Sequence, residues 1–382
     1  MADFSFQISQ KIVLSSYGVL RIGEFVKDWG QKFMVVMDPV LTQMDTGAKI
    51  TKPLTDRKLD YFTFSDLDGP ADTKVLDSAL VLARQAHVDG IVAAGGSKAI
   101  NLGRAIACFY NEKRDTYTAL EKDDIKVPPL PLICVPTTIR DRFVFSPVVP
   151  LVDARSSALC FVHVQRGLGD AVLVDPNLTL SLSSNQSSSL TLEAIALALE
   201  AYISPKANFF SDMAAGKSLE LLGVAESGTE SLDVTTPKEE LLCQGGLMAS
   251  LAASTSSLGI TSLLSVCINA RFGTPSALVS SVLLPYIVDD AAKFRLDRLA
   301  MVSHILNITE KDATNEKAAA DLSEFVRKEI ARANLPARMK DLNVTIEQLT
   351  LAAEDAGKTD FINTLPRSTT SDDLFSLIKS AY

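Results

Sequence analysis

The chain has 382 residues, 47% of them hydrophobic and 22% charged, which suits one large or two ordinary folded domains and excludes a disordered polypeptide. A formal net charge of −9 argues against a surface that tracks nucleic-acid phosphates or an anionic membrane, because such surfaces need clustered Lys and Arg. No run of roughly 18 uninterrupted apolar residues offers a membrane span, and the start Met1-Ala2-Asp3-Phe4-Ser5-Phe6 lacks the basic-then-apolar order of a secretory leader, so a cytoplasmic protein is expected.

Taken in chain order, the first 180 residues alternate short β-branched runs with helix-length segments. Residues 32–38, 89–94, 130–135 and 171–176 read as buried strands, and Asp72 to His87 reads as a helix between two of them. The pattern predicts a parallel sheet with helices on its faces, an α/β layer of the nucleotide-binding type. A polar, Ser-rich stretch between Asn177 and Ser189 reads as the connection, which places an α/β domain at residues 1–183 and a second domain at 184–382. Beyond it the periodicity is helical throughout, at Leu190–Tyr202, Asp212–Leu222, Glu239–Ser257, Ala319–Ala333 and Leu374–Tyr382, so the second domain is expected to be all-α. The cysteines (Cys108, Cys134, Cys160, Cys243, Cys267) are odd in number and lack C-x-x-C spacing, which reads as reduced, packed thiols.

Three places carry candidate chemistry. Ala94-Gly95-Gly96-Ser97 joins a strand to a helix, where backbone N–H groups and the helix dipole face a phosphate; a tight turn alone also wants such glycines. Asp38 ends a strand, where its carboxylate either takes ribose hydroxyls or caps the next turn. Val135-Pro136-Thr137-Thr138 is followed by Ile139-Arg140-Asp141-Arg142-Phe143-Val144. Arg140 and Arg142 each offer a planar donor fork for an anionic group, or else snorkel outward to pair with Asp141 or Asp153. In the helical half, Glu193 and Leu197 lie one turn apart in the run Ser189 to Tyr202, and a second frame runs from Leu258-Gly259-Ile260-Thr261-Ser262 through Val266 to Gly273-Thr274-Pro275-Ser276-Ala277.

These frames resemble the iron-containing alcohol dehydrogenase family and its maleylacetate reductase branch, which share a dehydroquinate synthase-like fold. The resemblance runs over nearly the whole chain. It implies that Gly95, Gly96, Ser97, Thr137, Thr138 and Asp38 bind a dinucleotide if one is retained, that the active site lies in a cleft between the domains, and that the chain is a homodimer. It also implies a metal held by an Asp and three His. Here those positions carry Glu193, Leu197, Val266 and Ser276, and the small residues that follow the P-T-T of the family are replaced by the arginine segment.

A catalytic metal needs at least three imidazole, thiolate or carboxylate ligands, so no metal site is expected and no cofactor is favoured, with NAD(P)H as the possible exception. The leading expectation is a metal-independent, non-redox enzyme of the cyclase, dehydratase, aldol-type lyase or isomerase kind, acting on a small anionic or enolisable substrate in a specialised, biosynthetic role. Arg140 or Arg142 orients that substrate, Glu193 serves as general acid or base, and Ser262, Ser276 or Cys267 donates to an oxyanion. Two alternatives stand beside it: a metal-free NAD(P)H-dependent reductase, and a non-catalytic binding protein.

Overall fold

Four of the apolar runs form the middle of one parallel sheet. The structure, a computed structural model, describes residues 6, 8–9, 11–121, 125–164, 168–227 and 236–382; residues 1–5, inspected above for a leader, lie outside this set. The strands are β1 (Lys11–Leu14), β2 (Lys32–Met37), β3 (Asp60–Phe64), β4 (Gly90–Gly95), β5 (Leu132–Pro136), the pair β6 (Val148–Asp153) and β7 (Ala158–His163), and β8 (Ala171–Val174). The sheet order is β1-β8-β5-β4-β2-β3, all parallel, while β6 and β7 make a separate antiparallel ribbon. Every residue of β4, β5 and β8 is buried, which is why these strands read as unbroken apolar runs.

Helices α1 (Ile22–Val26), α2 (Pro39–Thr42), α3 (Asp45–Asp56), α4 (Thr73–Ala86), α5 (Ser97–Phe109), α6 (Thr116–Glu121) and α7 (Pro176–Thr179) complete this unit. Asp72 caps α4 by accepting from the Val75 N–H, and His87 ends it in the left-handed region. Helix α5 lies close on β4 because Gly103 has no side chain; a Cβ there would stand 2.4 Å from that of Ala93. From β2 the chain moves outward to β3, whereas β4 lies on the other side of β2. This reversal makes the carboxyl ends of β2 and β4 a topological switch point, the place where open α/β sheets take ligands.

Residue contacts divide the chain into two units, one ending at Ser181 and one beginning at Leu182. The second is helical, and among the described residues it holds no strand. Its helices are α8 (Ser184–Ile203), α9 (Phe209–Ser227), α10 (Lys238–Thr255), α11 (Ile260–Phe272), α12 (Ser276–Ala291), α13 (Leu296–Ile305), α14 (Asn315–Arg332), α15 (Ile346–Gly357) and α16 (Ser371–Ser380). The Ser-rich stretch is less of a loop than its composition suggests. Ser183 and Gln186 form a capping box, and residues from Ser184 onward are already the first turns of α8. Among the described residues no single helix is long and apolar enough to cross a membrane.

Candidate functional site

The register of the sheet brings three turns to one edge. Met37 pairs with Ala94 and Gly95 with Pro136, so Asp38, Gly95-Gly96 and Thr137-Thr138 leave β2, β4 and β5 side by side. The ladders continue past the strands: the Asp38 N–H donates to Ala94 O at 3.3 Å and the Thr137 N–H to Gly95 O at 2.9 Å. Asp38 does not cap α2. Its Oδ2 instead accepts from the Gly96 N–H at 2.6 Å, across the switch point. Burial holds the Asp38 carboxyl above its ordinary value, against the opposing pull of the Gly96 N–H and the Lys98 charge.

Gly95 has φ +142°, and a Cβ there would meet Asp38 Oδ2 at 2.4 Å and Ala99 Cβ at 3.0 Å. At Gly96 a Cβ would project beside Asp38 Oδ2 at 3.4 Å and Thr138 Cγ2 at 4.0 Å, so these residues line one small cradle. Gly96 is also the N-cap of α5 and offers no side-chain cap, and Ser97 is its first residue. Among the described residues no side chain takes the first-turn N–H groups of α5, which leaves them to a ligand or solvent. Lys98 is committed elsewhere, with Nζ donating to Leu67 O and Gly69 O, each at 2.9 Å. This geometry fits the diphosphate of a dinucleotide.

The arginine segment is buried and pinned. Asp141 Oδ1 accepts from the Phe143 and Val144 N–H groups at 2.8 and 2.9 Å, and Thr138 Oγ1 donates to Arg140 O at 3.0 Å. Arg104, fully buried on α5, donates to Phe143 O at 2.6 Å, to Val148 O at 3.2 Å and to Ser146 O. Arg140 and Arg142 are only 5% and 3% exposed, so the alternative in which both snorkel outward fails. Asp153 pairs with Arg155 at 2.7 Å. Arg140 Nη1 donates to Ser97 Oγ at 3.3 Å, which sets its guanidinium at the start of α5. Burial pushes it down to about 10, against the field of Asp141, so it stays charged at neutral pH.

In the helical unit, Glu193, Leu197 and Glu200 are all buried along α8. Glu193 Oε1 accepts from Ser280 Oγ, on α12, at 3.5 Å. Glu200 holds the start of α11: its carboxylate accepts from the Thr261 N–H at 2.5 Å and the Ser262 N–H at 3.2 Å, an anion at a helix N-terminus. Gly259 is needed there, since a Cβ would stand 2.4 Å from Glu200 Cδ. Ser262 is therefore engaged through its backbone. Val266 is half-buried on α11, Ser276 is the half-buried first residue of α12, and Cys267 is packed away with its thiol pushed up by burial. Burial likewise pushes Cys108 and Cys134 up to about 12, as befits inert packed thiols.

Sequence reasoning missed the working partners: Ser280 for Glu193, Lys98 for the 67–69 turn, and Arg104 as the clamp. For Glu200 the signal was present, a second carboxylate beside Glu193 in the apolar later turns of α8, but its partner lies about 60 residues away.

Residues 9–176 match the model of the iron-containing alcohol dehydrogenase family, and residues 189–382 match that of its C-terminal domain. The chain belongs to the iron-containing alcohol dehydrogenase family. It is 24% identical over 362 residues to the 1,3-propanediol dehydrogenase of Citrobacter freundii, covering 92% of each chain. It is 20% identical to the NAD-dependent methanol dehydrogenase of Bacillus methanolicus over 379 residues, 99% of each. The crystal structure of a 1,3-propanediol oxidoreductase matches it with a TM-score of 0.91 at 19% identity, covering 100% of both, which confirms the α/β-plus-helical fold.

These findings overturn the leading functional expectation. The family is one of oxidoreductases, and the relatives are dehydrogenases, so a cyclase, dehydratase, lyase or isomerase is not supported. The expectation that no cofactor is favoured falls as well, since one relative is named as NAD-dependent and the family is named for iron. The altered arginine segment does not remove the Gly-Gly turn, whose N–H groups belong to the backbone. Iron is a separate matter of donor chemistry. Leu197 and Val266 carry no donor atom, and among the described residues no group of three His, Cys, Asp or Glu is placed to hold an ion. His87 ends α4, His163 ends β7 and His304 lies in α13.

Proposed function

We propose that this member of the family is an NAD(P)-dependent oxidoreductase that interconverts a small alcohol and its carbonyl compound, in the manner of the dehydrogenases it resembles. The observation that carries the reading is the switch-point turn, where Gly95 at φ +142°, Gly96 as an open N-cap and Asp38 bonded to the Gly96 N–H shape a cradle at the start of α5. Gly96, Ser97, Thr137 and Thr138 would hold the dinucleotide, with Asp38 fixing the turn that they line. When bound, the nicotinamide supplies a hydride to a carbonyl carbon or takes one from an alcohol carbon.

The chain's own residues must handle the proton. Glu193 is assigned that role, with Ser280 Oγ hydrogen-bonded to its Oε1 at 3.5 Å. Arg142 and Ser276 are assigned to substrate, and Ser262 to the support of α11 through Glu200. In this reading Glu193, Leu197, Val266 and Ser276 occupy the family's ligand positions with the ligand set replaced, and the protein works as a homodimer on a small-molecule substrate.

The test is calorimetric titration of the purified full chain with NADH and NADPH, followed by nicotinamide oxidation against a panel of small aldehydes and ketones. Binding of one of the two and turnover with a carbonyl substrate are expected. Failure to bind either would sink the proposal. Light scattering of the same sample tests the dimer.

A further inference from the structure

We propose that Arg140 is a contact for the cofactor's diphosphate, forming with the N-terminus of α5 a single anion subsite; the inference rests on the nucleotide reading above. Ser97, Asn101 and Arg104 are spaced i, i+4 and i+7, so they share one face of α5. The two ends of that face touch the arginine segment. Ser97 Oγ accepts from Arg140, and Arg104 grips the carbonyls of Phe143, Ser146 and Val148.

Between them sits Asn101, 7% exposed, whose Oδ1 is buried with no hydrogen-bond partner among the described residues. Side chains on a helix lean toward its N-terminus, and one turn in that direction from Asn101 lie Ser97 and the glycine turn. A buried carbonyl oxygen calls for a donor, and the hydroxyls of the riboses that flank a diphosphate are donors.

The charge distribution agrees. Lys98 spends its ammonium on Leu67 O and Gly69 O, whereas the Arg140 guanidinium meets Ser97 at the turn itself. A guanidinium offers phosphate two parallel N–H donors, and the α5 dipole adds partial positive charge at the same point. The physical alternative is that the guanidinium fills the cradle and keeps the diphosphate out.

Calorimetry of the full chain with ADP-ribose, ADP and adenosine separates the two. Arg140→Ala is expected to weaken ADP-ribose and ADP by about tenfold to a hundredfold, the range for losing hydrogen bonds to a charged group. Adenosine affinity should not change, Arg140→Lys should restore part of the loss, and the salt dependence of ADP-ribose binding should become shallower. If the alanine variant does not fold, Arg140→Gln keeps most of the bulk and must show the same selective loss. Unchanged or tighter ADP-ribose binding in the neutral variants overturns the proposal and leaves the nucleotide reading standing, as does an equal loss for adenosine. A wild-type chain that binds neither ADP-ribose nor NADH overturns both.

Discussion

At the start of α5 the groups proposed to bind the cofactor are backbone: N–H groups in a glycine turn at the end of a buried strand, held by one carboxylate. On α8, α11 and α12 the positions matched by resemblance to the family's metal ligands rely on side chains, and two of the four are Leu197 and Val266, which have nothing to donate. Two such kinds of site would fail differently. A backbone site needs only glycine geometry and a helix end, so changes in surrounding side chains alter its selectivity before they remove it. A metal site lives in its imidazoles and carboxylates, and substituting them removes the donors while the helices pack as before.

The sharpest way to break the comparison is to attack the turn's backbone. Gly95→Val puts a β-branched residue at φ +142° with its Cβ 2.4 Å from Asp38 Oδ2. It should destabilise the fold by about 2–4 kcal/mol and abolish NADH binding, as read by chemical denaturation and calorimetry. A folded variant that binds NADH like the wild type would mean the nucleotide does not use this turn. The complementary experiment rebuilds the other site: Leu197→His, Val266→His and Ser276→His together should tighten zinc or iron binding by roughly a hundredfold, about 2.7 kcal/mol. If metal affinity by elemental analysis and competition does not change, these positions do not correspond to the family's ligand frame.

A smaller effect is expected at Glu200, which belongs to the packing of the helical frame and to none of its proposed chemistry. Glu200→Ala strips the acceptor from the Thr261 and Ser262 N–H groups and opens space beside Gly259. The loss should be about 1–3 kcal/mol in urea denaturation, with the NADH affinity of the surviving folded fraction unaltered. A parallel loss of NADH affinity would erase the distinction between the two regions.

What sequence made legible follows the same division. The interior strands β2, β4, β5 and β8 were visible as apolar runs because burial on both faces leaves no polar alternation. β3, an edge strand reading Asp60-Tyr61-Phe62-Thr63-Phe64, and β7 were not, since they are only partly buried, and the mostly buried β6 was missed as well. The Ser-rich run misled because its serines serve as cap and first turn of α8, which composition cannot distinguish from a linker. At the site, the glycine turn and Asp38 could be read locally. The reach of Arg140 to Ser97, of Arg104 to three carbonyls and of Ser280 to Glu193 spans about 40 to 90 residues, and no local pattern encodes it.

The mildest test is a pH slope, and it bears on whether the Asp38 carboxylate is held in place at some expense to folding. Burial raises its folded-state value above 3.8, the ordinary one, so the folded chain binds this proton more tightly than the unfolded chain does. Stability must then decline as pH rises from about the unfolded value through the folded one, and the decline is complete above it. Asp38→Asn carries no such proton. Urea midpoints measured in steps from acid to neutral should therefore fall less with rising pH in Asp38→Asn than in the wild type. The asparagine also presents an oxygen to the Gly96 N–H, so the turn should keep its shape and NADH should still bind. Parallel slopes would show that the carboxylate is solvated as well in the fold as outside it, and the turn would then be a less enclosed place than its 2.6 Å hydrogen bond indicates.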